Sequence, residues 1–404
     1  MDFSISATDR QRLQTLRRLG REEMRPAGWR ADRAAAPLPA DDPFFARMLA
    51  QGFGRTRWRP AGAAGADSAD SADSADAAAP NKAASAVAQV LLAEEGAYWD
   101  RGIGVALPGP GLGEPPLLAL GTPGQQERFL APFVAPQRPI WGAFAMTEPS
   151  GGSDVANIKT RARRDGDHWV LNGAKSFSGN SGRAEWIVVF ATIDPALGRA
   201  GHRAFVVERG TPGLGDFRVE KKMGLRAYES TSFLLSDCRV PMANLLGGEA
   251  GHGQPTGGFK GAMNTFNAGR PAIAGMAVGM GRAALDEAMA CMCEAGLASE
   301  QRLRDRLERS RRKLKAALLL ALRAAWLADQ RQPNMLEASA AKALAPPAAF
   351  EAASFAMEVL GAAGGRGDHL IEKLFRDVKA LDIVEGTGQI QRVVMARHLV
   401  GLPN

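Results

Sequence analysis

The chain has 404 residues, of which 46% are hydrophobic and 23% charged, and carries a formal net charge of +7; this is enough polypeptide for two or three domains with sizeable cores and an ordinary balance for a globular protein. No apolar run is long enough to cross a membrane, Met1-Asp2-Phe3-Ser4-Ile5 lacks the basic-then-apolar pattern of a secretion signal, and a cytoplasmic location is expected. Cys238, Cys291 and Cys293 give neither an even disulfide framework nor a metal-site spacing, and aromatics at 6% with no recognition motif argue against nucleic acid, so neither a metal nor a nucleic-acid partner is expected.

Residues 8–23 are rich in Arg, Leu and Glu with Leu13, Leu16 and Leu19 on one helical face, and Pro26 reads as the stop of this first helix. Residues 61–79 pass from Ala-Gly into repeats of Ala-Asp-Ser with almost nothing to bury, the pattern of a poorly ordered surface insertion. Helical spacing resumes over 84–96, yields to a Gly/Pro-rich turn region at 102–113, and returns after Pro123 and Gly124 with Phe129 and Leu130 facing inward.

At Trp141 the period changes. Residues 168–177, His-Trp-Val-Leu-Asn-Gly-Ala-Lys-Ser-Phe, read as a strand, an Asn-Gly turn and a returning strand; further strands are expected at 186–191, 204–207, 217–220 and 231–235, ending near Val240 and Pro241. Beyond Gly258 the helical period persists over 259–290, 303–326, 336–360 and 368–381. The first of these segments carries Gly269, Gly275, Gly279 and Gly281. Each costs up to about 1 kcal/mol against Ala, which calls for close packing or a ligand in compensation. The order of segments predicts an α+β multidomain protein: an amino-terminal helical domain (1–140), a central antiparallel β barrel or sandwich (141–250) and a carboxyl-terminal helical bundle (251–404), with clefts at their junctions.

Three stretches bear on chemistry. The basic run 302–315 contains Arg302, Arg304, Arg306, Arg309, Arg311, Arg312, Lys313 and Lys315 beside Leu303, Leu307 and Leu314 at helical spacing; it is either a solvated helix face or a surface for an anion or acidic partner. Phe144-Ala145-Met146-Thr147-Glu148-Pro149-Ser150-Gly151-Gly152-Ser153-Asp154 offers backbone amides and hydroxyls in a turn-rich loop, suited to a flat polar heterocycle or a phosphate, or simply to a β entry. Near the end, Glu385 follows apolar Ile383 and Val384, and Gly386 and Gly388 flank Thr387, which is placed to cap the helix announced by Ile390, Val393 and Val394. A carboxylate in that setting is a solvated loop charge or, if desolvated, a general base.

These motifs together resemble the acyl-CoA dehydrogenase family. Met146-Thr147-Glu148-Pro149 through Gly152-Ser153-Asp154 is similar to the family's first signature, and Glu385-Gly386-Thr387 with Gln389-Ile390-Gln391-Arg392 to its last. Between them, in family order, stand Lys222-Met223-Gly224, Val240-Pro241, Phe266 with Arg270-Pro271, and Glu372-Lys373-Leu374 with Arg376-Asp377. The resemblance covers roughly 110–400 and implies the same helical, β, helical architecture, a bound FAD, and α,β-dehydrogenation of an acyl thioester carried by CoA or a carrier protein. It places Glu385 as the base that takes the α proton and Arg270 as its electrostatic support. Phe144, Met146, Thr147, Ser153, Phe177, Thr387 and Gln389 match cofactor-contacting positions. The resemblance also implies a homo-oligomer, dimer or tetramer, and an electron acceptor such as an electron-transfer flavoprotein or oxygen. A flavin monooxygenase and a non-catalytic flavin-fold binding protein are the alternatives on this scaffold.

Three departures stand out. Where the family carries a threonine against the flavin, two residues after Phe177, this chain has Gly179, with Ser178 or Ser181 as substitutes. The Arg-x-x-Phe-Gly segment that reaches a neighbouring subunit's cofactor is replaced by Cys291-Met292-Cys293-Glu294-Ala295-Gly296, leaving Arg302, Arg304 or Arg306 to take its place. The insertion at 61–79 occupies sequence that in the family packs near the substrate.

Overall fold

The computed structural model describes residues 1–60, 84–249 and 257–402, the side chains of 257–268 excepted; the low-complexity insertion lies outside the described residues. Six helices come first: α1 (Ala7–Leu19), α2 (Arg25–Ala34), α3 (Pro43–Ala50), α4 (Ala86–Ala106), α5 (Glu114–Leu120) and α6 (Pro123–Leu130). Seven strands follow: β1 (Gly142–Ala145), β2 (Arg161–Asp165), β3 (His168–Gly179), β4 (Trp186–Thr192), β5 (His202–Glu208), β6 (Leu214–Val219) and β7 (Ser230–Pro241). Five helices close the chain: α7 (Gly257–Glu294), α8 (Gln301–Asp329), α9 (Met335–Leu360), α10 (Leu370–Val378) and α11 (Gly388–Leu399). No described helix is long and apolar enough to cross a membrane.

Pro26 does not end the first helix. The chain passes through a π-helical turn at Gly20–Met24 into α2, where Pro26 sits in the first turn, the one place in a helix where its missing N–H costs nothing. The Asn172-Gly173 pair is likewise no turn. β3 runs straight through it as one strand of 12 residues, and the pair marks an irregularity in the register with β7 between Leu171 and Gly173. The real hairpin turn lies upstream at Gly166 (φ 61), joining β3 to β2, a strand that the patterning missed because Arg161, Arg163 and Arg164 hide its alternation.

The sheet is a single curled layer in the order β1-β4-β2-β3-β7-β6, with β5 on the other edge of β4. Most pairings are antiparallel, but β4 pairs in parallel with β1 and, at Thr192, with β2. One face packs on α1–α4 through Phe44, Phe45, Trp141, Phe205 and Phe233; the other packs on α5 and α6 through Phe129, Phe133, Trp186 and Phe190. A third core joins α4 to the carboxyl-terminal helices and is built largely of alanine. Small side chains let those helices approach closely: a Cβ on Gly279 would lie 1.9 Å from the Glu94 carbonyl oxygen and one on Gly275 2.7 Å from that of Val90, which is the close packing those glycines call for.

The basic run of α8 is a salt-bridged outer face. Leu307 and Leu314 are buried, while Arg306 pairs with Glu358 (2.6 Å), Lys313 with Glu351 (2.7 Å) and Arg311 with Glu308 (2.9 Å). A buried ionic network fixes α10. Lys373 lies between Asp100 (2.8 Å) and Asp377 (2.5 Å), and Arg376 makes paired bonds to Asp32 (2.9 and 2.6 Å) and to Glu372 (2.5 and 2.9 Å). Asp377 also accepts from the Leu225 N–H at 2.5 Å, so one cluster ties α2, α4, the β6–β7 loop and α10 together and thereby sets the loop that follows α10.

Candidate active site

That loop carries Glu385. Its backbone is left-handed (φ 54), uncommon for a residue with a side chain and typical of functional sites, and Gly386 continues the turn at φ 86. The buried amide of Gln391 holds the loop from within the next helix, donating to the Gly386 carbonyl (3.1 Å) and more weakly to that of Glu385 (3.4 Å). Thr387 caps α11, its hydroxyl accepting from the Ile390 N–H at 3.3 Å.

The carboxyl of Glu385 turns inward against α7. A Cβ on Gly269 would stand 2.6 Å from Oε2, so the glycine lets the carboxyl lie close against α7. Oε2 is buried and accepts no hydrogen bond from the described residues. Burial raises the Glu385 pKa above the ordinary carboxylate range; Arg101, Lys342 and Arg270 pull it partly back. Arg270 lies near this carboxyl, anchored by Nη1 on the Ser339 hydroxyl (3.2 Å), with its Nε buried and without a hydrogen-bond partner among the described residues. The other two cations escaped the sequence reading. Lys342 is a fully buried lysine in alanine-rich α9, its Nζ without a hydrogen-bond partner among the described residues and its pKa pushed down to about 8 by burial. Arg101 follows Asp100, where α4 breaks from helical geometry (φ −165, ψ 110). In both cases the legible signal was a lone cation inside an apolar helical stretch. Arg101 lines a cavity of ≈ 890 Å³ together with Leu92, Gly96, Ala97, Gly104, Leu107 and Met276.

The second cluster lies on the sheet. Ser176 donates its N–H to the Thr147 carbonyl (2.9 Å) and Ser178 its hydroxyl to that of Phe144 (2.6 Å), bringing Phe144, Met146 and Thr147 against Phe177 and Ser178. Phe177 sits at a register irregularity with φ 54 and leaves its ring 61% exposed, an apolar face available for stacking. Phe144 packs on Phe190 with ring centroids 5.6 Å apart, and Ser153 is exposed on the loop. The Ser178 hydroxyl is committed to the backbone and also receives one from Ser181 (2.5 Å), so neither serine is an idle donor. Thr387 and the exposed Gln389 stand at the start of α11 instead; no hydrogen bond between described residues joins them to this loop.

Glu148 is a framework residue. Its buried carboxylate accepts from Lys175 Nζ (2.8 Å), the Lys159 and Thr160 N–H groups (2.5 and 2.9 Å) and the Thr160 hydroxyl (2.6 Å). A planar ring system carrying polar edge atoms fits the exposed Phe177 ring, the half-buried Thr147 and the exposed Ser153. The position of Gly179 is also filled: a Cβ there would fall 1.4 Å from the Tyr228 hydroxyl oxygen, so Tyr228 occupies the space of a larger side chain.

The family models for the acyl-CoA dehydrogenase middle domain and C-terminal domain match residues 143–238 and 256–400. The chain is similar to the mitochondrial short-chain specific acyl-CoA dehydrogenase of Bos taurus, 39% identical over 290 residues that make up 70% of this chain and 68% of that one. In structure it is similar to butyryl-CoA dehydrogenase from Megasphaera elsdenii (TM-score 0.83, 28% identity, 99% of this chain and 100% of that one). It is similar also to a prolyl acyl carrier protein oxidase (TM-score 0.81, 26% identity, 98% and 100%).

Proposed function

Because the chain belongs to the acyl-CoA dehydrogenase family, and so is a flavoprotein oxidoreductase that uses FAD, we propose that it desaturates an acyl thioester between the α and β carbons with Glu385 as the base. The observation that carries this reading is the buried Oε2 of Glu385, which has no hydrogen-bond partner among the described residues, amid Arg101, Lys342 and Arg270. A carboxylate in water is far too weak to take a proton α to a thioester. Desolvation strengthens it as a base, and the surrounding cations pull its pKa partly back down.

Glu385 takes the α proton onto its carboxylate. The negative charge that develops on the thioester oxygen needs a donor, and the Glu385 N–H, which donates to no described group, supplies one. Arg270, Arg101 and Lys342 stabilise the anionic base before transfer. A bound FAD would supply the acceptor for the hydride that leaves the β carbon. Phe144, Met146, Thr147, Ser153, Phe177 and Ser178 would hold its ring system by stacking and by loop hydroxyls and amides, and Thr387 and Gln389 would bind a more distant part of it. The acyl group lies in the Arg101 cavity, and CoA or a carrier protein holds the thioester. The enzyme works in the cytoplasm as a dimer or tetramer and passes its electrons to an electron-transfer flavoprotein or to oxygen.

The test is anaerobic: flavin absorbance is followed while acyl-CoA and acyl-carrier thioesters are added to the protein and to a Glu385→Gln variant. Bleaching by a thioester in the parent protein but not in the variant is expected. Bound flavin that no thioester reduces, yet that reacts quickly with oxygen once reduced externally, would replace this reading with a monooxygenase.

A further inference from the structure

Tyr228 places an unspent hydroxyl on the open face of the sheet, close to Phe177. Gly179 pairs with Ser230, four residues before Leu234 on β7; Leu234 is exposed, so Gly179 lies on the uncovered face of the sheet, two residues beyond the exposed Phe177 ring. The space its side chain would take is held by the Tyr228 hydroxyl oxygen, 1.4 Å from the position of a Cβ. The backbone around Tyr228 is pinned. Its N–H donates to the Leu225 carbonyl (3.0 Å), its carbonyl accepts from Lys222 Nζ (2.6 Å), and the carbonyl of the next residue, Glu229, accepts from the Asn180 N–H (2.9 Å). Arg183 holds the Glu229 carboxylate in turn (2.8 Å). Yet the Tyr228 hydroxyl itself makes no hydrogen bond among the described residues, whereas those of Ser178 and Ser181 are spent locally. Burial pushes the phenol up to about 12, so it stays protonated, and therefore a donor, near neutral pH.

An enclosed tyrosine ordinarily bonds its hydroxyl, and phenylalanine would fill the same space without leaving a polar group unmatched. A flavin ring system has an apolar face for the Phe177 ring and carbonyl oxygens and ring nitrogens along one edge that accept hydrogen bonds. Resting on the cofactor placement proposed above, we infer that the Tyr228 hydroxyl donates to that polar edge of FAD. It supplies, from the β6–β7 loop, the donor that Gly179 on β3 has no side chain to provide. The absence of a side chain at position 179 and the tyrosine opposite it are then one device, and the rigid loop sets where the donor points.

The experiment compares the parent protein with Tyr228→Phe, which keeps the ring and removes only the hydroxyl. FAD affinity is read by flavin fluorescence titration of the FAD-free protein, and the position of the visible flavin bands reports hydrogen bonds to the ring. Binding at least about fivefold weaker, the worth of one hydrogen bond, is expected together with shifted bands, while the unfolding midpoint of the FAD-free protein is unchanged. In a Tyr228→Ala background, Gly179→Ser should restore part of the affinity and the band position, and Gly179→Ala should not. Parent-like affinity and bands in Tyr228→Phe overturn the inference. So does a loss of affinity matched by a lower midpoint of the FAD-free protein, or rescue by alanine equal to that by serine, since either makes Tyr228 a space-filling residue. Phe177→Ala separates the two readings: weaker FAD binding there with none in Tyr228→Phe leaves the cofactor placement standing and removes the tyrosine's role, and unchanged binding in both removes both.

Discussion

Replacing Lys175 with methionine should strip the buried Glu148 of its counterion while keeping the volume of the side chain. Both residues are buried, Lys175 at 0% exposure and Glu148 at 5%. Burial alone would raise the Glu148 pKa, but Lys175, Thr160 and the Lys159 N–H hold it below the ordinary carboxylate range. Burial also depresses Lys175, to about 8, against the pull of Glu148. In Lys175→Met the carboxylate keeps the bonds from Lys159 and Thr160 but no cation, and breaking a buried pair from one side costs about 3–5 kcal/mol. Urea unfolding followed by tryptophan fluorescence at pH 7 reads this loss. The sign of the pH effect is fixed as well. In the parent, the depressed Glu148 contributes stability above the unfolded carboxylate pKa that is lost as pH falls through the folded value; in the variant, the unpaired carboxyl binds a proton more readily when folded and gains stability on acidification. The gap between the two proteins therefore narrows as pH falls from 7 to 5. FAD affinity should drop in parallel, since Lys175 also donates to the Met146 carbonyl (3.2 Å) within the loop proposed to hold the cofactor. A loss below about 1 kcal/mol, the worth of one ordinary hydrogen bond, or a gap that does not change with pH, would refute the assignment of Glu148 as a charged strut.

Lys342 is a buried ammonium without a hydrogen bond to any described residue and has a depressed pKa of about 8. Lys342→Met should therefore stabilise the fold at pH 7 by up to about 3 kcal/mol and abolish the rise in parent stability between pH 8 and the unfolded lysine value. The same variant removes a cation from Glu385, so the acidic limb of flavin reduction, which reports deprotonation of the base, moves to higher pH in stopped-flow measurements. Gly179→Ala drives a Cβ into the Tyr228 hydroxyl; it should lower the unfolding midpoint in the parent and be tolerated with Tyr228→Ala, a coupling that a double-mutant cycle measures. Thr387→Ala removes the cap of α11 and should cost about 1 kcal/mol in urea unfolding, with faster hydrogen exchange at the Ile390 N–H.

The sequence made some of this arrangement legible and hid the rest for identifiable reasons. Long periodic helices declared themselves: α8 and α9 begin and end within a few residues of where leucine and alanine spacing places them. The glycines of α7 foretold close packing, because an interior glycine costs stability that something must offset. Asn172-Gly173 misled because its propensity is that of a two-residue turn, whereas the partner strand β7 is long enough to carry β3 straight past it; pairing across 12 residues outweighs a local preference. Pro26 misled for the complementary reason, as the same residue that ends one helix is tolerated at the start of the next.

The site shows the same division between local and distant information. Glu385 is readable because it stands in a short stretch of unusual composition, and Arg270 only through the motif resemblance around it. Arg101 and Lys342 come from α4 and α9, far apart in the chain, and become a site only when α7 and the Glu385 loop fold between them. No spacing rule encodes that meeting. What the sequence does record is a cost, a lone cation on each of two otherwise apolar helical surfaces. A buried Lys342 and an Arg101 with no bonded partner among the described residues weaken the fold by themselves. Their placement around Glu385 makes the penalty intelligible as electrostatic energy available to stabilise the negative charge that would develop in the proposed reaction.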